Sequence, residues 1–386
     1  MDRRKLMLLG AGALTASVLP GIGRAQAPAA PSPSSTPPLV PIRLSPDQVF
    51  RTTVCLRPFR GKGPRIETET VGRKQVVHNY GHGGSGWSLS WGSAEYAVRL
   101  AMQSSPRKIA VVGAGALGLT AALMAQRAGA QVTIYARERF PFVRSAFATG
   151  SWTPSSRVAM AAEVAPDFAD RWETMARYAW SMHQSYVGLA GNPVEWMDQY
   201  LVRGGGRPGP RPAYADIKAD FIHLDGRIND IVPHSQPVPN DAHPFASENV
   251  QRTNMLTFNV ASLAHQLTED FLEAGGRFVP AQFHSLSDFT RLKEKVIINC
   301  TGYGARALCK DESIVPVRGQ IVWLAPQADA HYGFYYGGVS VLGRRDGVVV
   351  QDVGWNEMFG WNDDNETIDP VAARESIENV ARVYRG

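Results

Sequence analysis

The chain has 386 residues, of which 44% are hydrophobic and 19% are charged; this composition is typical of globular proteins and excludes a mainly disordered chain. The length predicts two domains of ordinary size. The formal net charge is +5, but four basic residues and only one acidic residue lie in residues 1–27, and no basic run is interleaved with aromatic residues. The charge therefore does not indicate nucleic-acid binding.

The first feature of the sequence is an export signal. Arg3 and Arg4 precede an uncharged stretch at residues 6–22, and an A-x-A cleavage pattern ends at Ala27. That stretch is too short and too interrupted by glycine and proline to span a membrane, so we expect a signal peptide cut after Ala27. The arginine pair favours the twin-arginine export machinery; the alternative is a general secretory signal with two arginines by chance. We expect a periplasmic or secreted protein whose residues 28–41 form a flexible linker.

Hydrophobic patterns predict alternating strands and helices along the rest of the chain. Strands are predicted at residues 49–57, 74–78, 108–112, 131–136 and 295–299, and a hairpin at 335–353. Helices are predicted at residues 93–102, 117–128, 167–186, 258–274 and 370–383, and glycine-rich loops at 79–86 and 203–212. Residues 109–126 carry no charge, but their glycines and flanking charges favour a strand, a turn and a buried helix, so no stable membrane span is expected.

A glycine-rich turn between a strand and an apolar helix indicates dinucleotide binding. The turn is Gly113-Ala114-Gly115-Ala116-Leu117-Gly118, a G-x-G-x-x-G pattern. The first glycine permits the tight turn, the second lets a pyrophosphate approach the backbone, and the third lets helix and strand pack closely. The N-terminus of the helix then presents unpaired N–H groups to the phosphates.

The type of dinucleotide is not decided by this turn. Glu138, twenty residues after Gly118, has the spacing of the acid that binds the ribose. Arg137 precedes it, and an arginine there could instead favour a 2′-phosphate. On this motif alone, flavin and nicotinamide dinucleotides both stay open.

Residues 77–94 form an unusual segment rich in histidine, glycine and tryptophan, VHNYGHGGSGWSLSWGSA. Its glycines can bring backbone N–H groups against a flat ligand, and a helix is expected to start at Ser93. His78 and His82 have the four-residue spacing of zinc ligands on one helix face. The glycines argue against a helix there, so no metal site is expected.

This segment closely resembles the signature of the D-amino-acid oxidase family of flavoenzymes. Leu56-Arg57-Pro58-Phe59-Arg60 is similar to the family's arginine-proline strand. Four further stretches resemble its flavin-contact segments and the strand that follows them, at residues 135–141, 148–154, 299–302 and 318–320. The resemblance covers roughly residues 48–386.

The resemblance implies FAD as the cofactor. It implies an α/β fold, with a Rossmann-type FAD-binding domain interleaved with an α+β substrate domain that carries an antiparallel sheet. Arg57 would bind the substrate carboxylate, and Tyr336 is a second catalytic candidate. The implied cofactor-binding residues are Gly83, Gly84, Ser85, Gly86, Trp87, Ser88, Gly113, Gly115, Ala116, Leu117, Gly118, Arg137, Glu138, Ser145, Thr149, Gly150, Trp152, Phe283, Thr301 and Gly302.

The order of the segments differs from that of the family. There the arginine-proline strand and the histidine-glycine signature end the chain, whereas here they precede the dinucleotide motif, so the sequence resembles a circular permutation of the fold. The expected organisation is a signal peptide (1–27), a linker (28–41), a substrate-domain strand (42–60), FAD-binding parts (61–158 and 255–312) and substrate-domain parts (159–254 and 313–386).

The predicted hairpin also departs from the family. Ser340 falls where the family has a substrate-side tyrosine, with Tyr335 and Tyr336 just upstream. Gln351 and Asp352 fall where it has a pair of glycines.

The predicted function is that of an exported FAD-dependent oxidase of amino acids, in particular D-amino acids, or of related amines. Hydride would pass from the α carbon to flavin N5, giving an imino acid and, with oxygen as acceptor, hydrogen peroxide. Two alternatives stay open. One is a flavin dehydrogenase that passes electrons to a membrane carrier; the other is a flavoprotein that binds amino acids without turnover.

Overall fold

The computed structural model describes residues 39–207 and 209–385. The predicted signal peptide and residues 28–38 of the predicted linker lie outside these ranges. The chain from Leu39 onward forms one compact unit, so the boundaries predicted within it stay predictions. Within the described residues, no helix combines the length and the apolar character that crossing a membrane requires.

The elements follow one another in a mixed order of strands and helices. The strands are β1 (Val49–Arg60), β2 (Thr68–Val71), β3 (Lys74–His78), β4 (Lys108–Val112), β5 (Gln131–Ala136), β6 (Val194–Val202), β7 (Gln236–Pro237), β8 (Val250–Phe258), β9 (Arg277–Pro280), β10 (Val296–Asn299), β11 (Ile314–Leu324), β12 (Gly333–Tyr336), β13 (Val339–Arg344) and β14 (Gly347–Asp352). The helices are α1 (Gly86–Ala101), α2 (Ala116–Arg127), α3 (Phe168–Gln184), α4 (Val260–Glu273), α5 (Ala305–Leu308) and α6 (Pro370–Ala381).

A six-stranded sheet has the order β2-β3-β10-β4-β5-β9, and all its pairs are parallel except β2 with β3. Both faces of this sheet are covered. Ile109 and Val111 pack on the side of α1 to α4, whereas Ala110 and Val112 pack on the other side with Phe289. A sheet buried on both faces requires strands that are apolar throughout, as the run from 109 to 112 is.

An eight-stranded sheet has the order β1-β11-β14-β13-β12-β6-β8-β7, in which only β12 and β6 pair in parallel. Its residues alternate between two faces. Val322 and Val350 pack against α6, whereas Ile321 and Val349 lie on the opposite face. These two sheets confirm the predicted α/β class with a parallel sheet and a separate antiparallel sheet.

The prediction that helix α1 begins at Ser93 is wrong, because the helix begins at Gly86. Glycine is a poor helix former, but tertiary packing overrides that preference here. Trp87, Leu89 and Trp91 are buried, and the α carbon of Gly92 lies so close to α3 that a Cβ would stand 2.5 Å from the Met175 Cα.

Two further boundaries differ from the predictions. Phe258 ends strand β8 and does not start α4, since its backbone N–H bonds to the Gly150 carbonyl. Tyr335 and Tyr336 belong to a separate strand, β12, because Gly337 and Gly338 both have positive φ and turn the chain before β13. The predicted turn between β13 and β14 is confirmed.

The two ends of the described chain lie together. The Ile42 N–H donates to the Tyr384 hydroxyl at 3.0 Å, and Val49 packs on the apolar cluster that contains Val383. Helix α1 leads through a short turn into β4, which lies between β10 and β5. This geometry is the one that a permuted chain requires; the permutation itself stays a prediction.

Candidate active site

The glycine turn between β4 and α2 is built by close backbone contacts. Gly113 has φ +106°, and a Cβ there would lie 2.9 Å from the Cys300 carbonyl carbon. A Cβ on Gly118 would collide with the Gly113 carbonyl oxygen, so this third glycine sets the helix against the turn. The Ala116 N–H donates to the Ser145 hydroxyl at 3.1 Å, and the following N–H groups of the first helical turn have no partner within the helix.

The start of α1 forms the opposite wall. The Trp87 indole N–H donates to the Ser145 carbonyl at 2.9 Å, and the Thr153 N–H donates to the Ser88 hydroxyl at 2.8 Å. A Cβ on Gly83 would collide with the Arg157 carbonyl oxygen, so the loop and residues 145–157 touch through their backbones. Three segments that are far apart in sequence therefore enclose one space.

That space consists of two contiguous cavities of about 310 and 380 Å³, called here the inner and the outer cavity. The inner cavity lies between the start of α1 and the eight-stranded sheet, and the outer cavity lies over the ends of β4, β5 and β10. Both are lined by the residues at which they join, which are Gly115, Arg144, Ser145, Cys300, Gly302 and Tyr303. An elongated site that bends at the glycine turn fits an extended dinucleotide.

Most of the predicted cofactor residues line these cavities. The inner cavity takes in Gly83, Gly84, Gly86, Trp87, Ser88, Gly115, Ala116, Leu117, Ser145, Thr149, Gly150 and Gly302. The outer cavity takes in Gly113, Gly115, Arg137, Glu138, Ser145, Phe283, Thr301 and Gly302. Arg137 and Glu138 are bonded to each other at 3.3 Å, so the structure leaves the choice of ribose partner between them open.

Four predicted residues do not line either cavity: Ser85, Gly118, Trp152 and Tyr336. The Ser85 hydroxyl donates to the His82 carbonyl at 2.7 Å, and Gly118 packs against the Gly113 carbonyl. Trp152 packs on Trp180 with ring centroids 4.5 Å apart. The ring of Tyr336 lies against Gly205 in the 203–212 loop, so its catalytic role stays a prediction that this geometry does not favour.

Arg57 lies in the inner cavity, as predicted. Its guanidinium lies flat against the backbone of Gly319, where a Cβ would stand 2.6 Å from Nη1 and 2.7 Å from Cζ. Among the described residues, the side chain of Arg57 makes one hydrogen bond, a long one of 3.5 Å from Nη1 to the Arg318 carbonyl. Burial lowers the pKa of this guanidinium below its ordinary value. A half-buried cation with so few partners, facing a cavity, is suited to bind an anion.

Sequence reasoning missed Arg157 and Gly319. Arg157 lines the inner cavity, is 8% exposed and has φ +45°, a backbone conformation that non-glycine residues rarely adopt. Its position between Ser156 and Val158 has no periodic pattern that would have marked it. Gly319 was seen only as part of a resembling stretch, and its contact with Arg57 appears only when β1 and β11 pair.

The charged side chains that line the inner cavity are all arginines. Arg57, Arg144 and Arg157 line it, and no aspartate, glutamate or lysine of the described residues does. Burial lowers the pKa of His82 to about 3, and neither of its ring nitrogens has a hydrogen-bond partner. Burial also raises the pKa of the Cys55 thiol. At neutral pH, His82 is neutral and the thiol is protonated.

The departures on the hairpin bring new polar groups to the cavity. Ser340 and Gln351 sit opposite each other on β13 and β14, and both line the inner cavity. The Thr149 hydroxyl is hydrogen-bonded to the Gln351 side-chain oxygen. The amide nitrogen of Gln351 can donate into the cavity.

The residues present fit a flavin dinucleotide. Gly302, at the junction of the cavities, and Gly86, at the start of α1, both have open space where a Cβ would be, so a flat group can reach their backbone. The glycine turn fits a pyrophosphate between the two cavities. The sequence profile of the FAD-dependent oxidoreductase family, abbreviated DAO, matches residues 108–386.

This chain belongs to that family. It is an FAD-dependent oxidoreductase of the class that acts on amino acids or amines, and its cofactor is FAD. The matched region begins at β4 and covers the glycine turn, the residues at which the two cavities join, and the hairpin.

The chain also matches individual proteins, at low sequence identity. This oxidoreductase is 25% identical over 273 residues to a D-amino acid oxidase of Dugesia ryukyuensis, a match that covers 66% of this chain and 74% of the relative. It is 26% identical over 218 residues to a D-amino-acid oxidase of Streptomyces coelicolor, covering 56% of this chain and 58% of the relative. Among solved structures, iminodiacetate oxidase from Chelativorans sp. BNC1 matches with a TM-score of 0.48 and 15% identity, over 72% of this chain and 78% of that one.

Proposed function

We propose that this oxidoreductase oxidises amino acids, in particular D-amino acids, at the carbon that bears the amine. The single observation that carries the proposal is the Arg57 guanidinium, which lines the inner cavity among the predicted flavin-contact segments and has no acidic partner in residues 39–207 and 209–385. A guanidinium can hold both oxygens of a carboxylate at once, which fixes the direction of the neighbouring C–H bond. The similarity to D-amino acid oxidases of two organisms favours the D configuration.

The reaction requires little acid–base chemistry from the chain. The substrate C–H bond breaks with its electron pair, the amine becomes an iminium group, and water hydrolyses the resulting imine to a keto acid and ammonia. FAD, when bound, accepts the hydride and passes its electrons to oxygen, which becomes hydrogen peroxide, or to another acceptor. The chain's own part is to hold the carboxylate at Arg57 and to exclude water with Trp87 and Ile321.

The lining of the inner cavity supports a reaction in which the chain supplies no acid or base. His82 stays neutral well below pH 6, because burial lowers its pKa to about 3. The described lining holds no carboxylate that could take the proton of an ammonium group. The substrate must therefore lose that proton before the transfer, so the reacting form is the neutral amine.

We propose further that the protein is exported already folded, through the twin-arginine route. A flavin that is bound without a covalent bond is inserted where it is made, in the cytoplasm. The general secretory route threads unfolded chains and would lose it, and Arg3 and Arg4 provide the alternative signal. These residues lie outside the described ranges.

Reduction of the bound flavin tests the proposed reaction. The purified protein should be yellow, and under anaerobic conditions its flavin absorbance should bleach with an amino acid but not with the matching amine that lacks a carboxylate. Arg57→Ala should raise KM for the amino acid, with a loss of about 2–5 kcal/mol for a buried charge pair. Arg99→Gln, which removes an exposed arginine, is the control. Equal bleaching by the amino acid and the amine, in the unaltered protein and in Arg57→Ala alike, would contradict the proposal.

A further inference from the structure

The inner cavity holds a second guanidinium besides that of Arg57, and this one, Arg157, is buried. Its left-handed backbone is held by tight packing, since the Arg157 carbonyl oxygen leaves no space for a side chain on Gly83. Strained conformations of this kind persist where surrounding structure fixes them, and they are common at functional sites. The side chain is therefore held in the cavity at a conformational cost.

Neither guanidinium has a carboxylate partner among the described residues. Arg157 donates from Nε to the backbone carbonyl of Glu357 at 2.8 Å. The carboxylate of Glu357 is oriented toward His223, with 3.6 Å between Oε2 and Nε2. Arg144, the third arginine of the lining, is paired with Glu366 at 2.8 Å. Arg57 and Arg157 thus form no ion pair with a carboxylate among the described residues, although the charge of Glu357 partly offsets the lowering of the Arg157 pKa.

Two positive charges in one cavity repel each other, and each costs free energy to bury. Burial lowers the pKa of Arg157 to about 10, and the charge of Arg57 contributes to that lowering. Both groups stay cationic at neutral pH, so the inner cavity favours anions. A ligand that carries two negative charges would compensate both.

We propose that Arg157 binds a second carboxylate of the substrate, so that the preferred substrates are dicarboxylic amino acids. The proposal rests on the proposed function, in which Arg57 holds the α-carboxylate. Arg157 then holds the carboxylate of the side chain and acts as a specificity-determining residue.

The cofactor does not supply the missing charges. The pyrophosphate belongs at the glycine turn, where the cavities join, and Arg144 lies at that junction. Arg57 and Arg157 line the inner cavity only. The substrate is therefore the molecule that brings two carboxylates into reach of both.

Substrate selectivity of the FAD-loaded enzyme is the first test. For both stereoisomers, kcat/KM is measured with aspartate and asparagine, and with glutamate and glutamine, since each pair differs only in the side-chain charge. The enzyme should prefer the acid to the amide by about 30-fold or more, the value of a buried charge pair. Arg157→Gln should abolish that preference, Arg157→Lys should restore part of it, and Arg99→Gln, at an exposed position away from the cavity, should change neither the preference nor turnover.

Binding without turnover is the second test. Succinate and butyrate share a four-carbon chain and differ in one carboxylate, and calorimetry on the FAD-loaded protein measures both. Succinate should bind more tightly, and Arg157→Gln should bring its affinity down to that of butyrate. If Arg157→Gln does not fold, the comparison within the unaltered protein still decides.

The failures of the two proposals are distinguishable. Two results would overturn the role of Arg157 and leave the proposed reaction intact. One is turnover of amino acids without preference for the acid over the amide. The other is an unchanged preference for succinate over butyrate in Arg157→Gln, together with an altered flavin spectrum. Discrimination between succinate and butyrate in a protein whose flavin no amino acid reduces overturns the proposed reaction and supports the dianion site.

Discussion

The guanidinium of Arg57 lies directly over the α carbon of Gly319, on the strand that pairs with its own. The absence of a side chain at Gly319 creates the flat surface on which the guanidinium rests. Gly319 thus positions Arg57 and touches no substrate itself.

Gly319→Ala should therefore displace the guanidinium. Its methyl group would lie 2.6 Å from Nη1, closer than atoms can pack, so Arg57 must move. KM for amino acids should rise at least tenfold, whereas kcat should change less, because the substitution alters none of the predicted cofactor-binding residues. Gly226→Ala, where a Cβ meets nothing within 4 Å, is the matched control. An unchanged KM in Gly319→Ala would show that the guanidinium adapts freely.

The pH dependence of activity should follow the substrate and not the protein. The pKa of His82 is lowered to about 3 and that of Cys55 is raised, both by burial, so neither changes charge between pH 6 and 8. In the proposed reaction the neutral amine is the reacting form, so kcat/KM should rise with pH. Measured with two substrates whose amine pKa values differ by about one unit, the apparent pKa should shift by about one unit. A constant apparent pKa would instead identify a group of the enzyme.

Stability should decrease in mild acid because of a buried histidine. The His183 Nε2–H donates to the Trp87 carbonyl, 3.0 Å away, and burial lowers the pKa of His183 to about 4. The unfolded chain takes up a proton near pH 6.5 that the folded protein does not take up until about pH 4, so unfolding becomes easier as pH falls through this window. Denaturant titrations between pH 4.5 and 7.5 measure how steeply the free energy of unfolding changes with pH. This dependence should be weaker in His183→Gln, whereas His265→Gln, at an exposed position, should retain it in full.

The sequence predicted the parallel sheet and the glycine turn well, because both depend on local patterns. The β4–α2–β5 unit lies within two residues of its predicted bounds. The start of α1 was predicted wrongly because Gly92, which disfavours a helix in isolation, is required for the packing of α1 against Met175 of α3. Long-range packing of this kind has no local signature.

The candidate site was predictable to the same extent. Backbone segments that contact the flavin carry recognisable glycines, and Arg57 lies in a recognisable arginine-proline strand. Arg157 and Gly319 acquire their roles only through partners that are distant along the chain. For Arg157 the partner is Gly83, and for Gly319 it is Arg57.

A relinked chain tests the predicted permutation. The Ile42 N–H and the Tyr384 hydroxyl are hydrogen-bonded, so a short glycine-serine linker can join residue 386 to residue 39. A chain that starts at Arg107 and ends at Ser105 should fold, bind FAD in equal amounts and retain kcat/KM within a few-fold. Far-UV circular dichroism and the flavin-to-protein ratio check this, with the unaltered order as control. An insoluble or flavin-free product would count against the permutation.

Export should depend on the arginine pair. With Arg3 and Arg4 both replaced by lysine, precursor that already holds FAD should accumulate in the cytoplasm, because lysine preserves the charge but not the twin-arginine signal. Fractionation followed by flavin fluorescence measures this, and Lys5→Arg is a control that leaves the pair intact. Mature flavoprotein outside the cytoplasm in the double variant would exclude the twin-arginine route.

The pairing of β1 with β11 also has a consequence for synthesis. Arg57 and Arg318 meet across this ladder although they are 261 positions apart. At about 5–20 residues per second, the first strand leaves the ribosome roughly 10–50 s before its partner exists. For that time its apolar residues are exposed, and chaperones that shield nascent chains must hold the strand. The pocket for the carboxylate is thus completed among the last parts of the protein, although its arginine is made among the first.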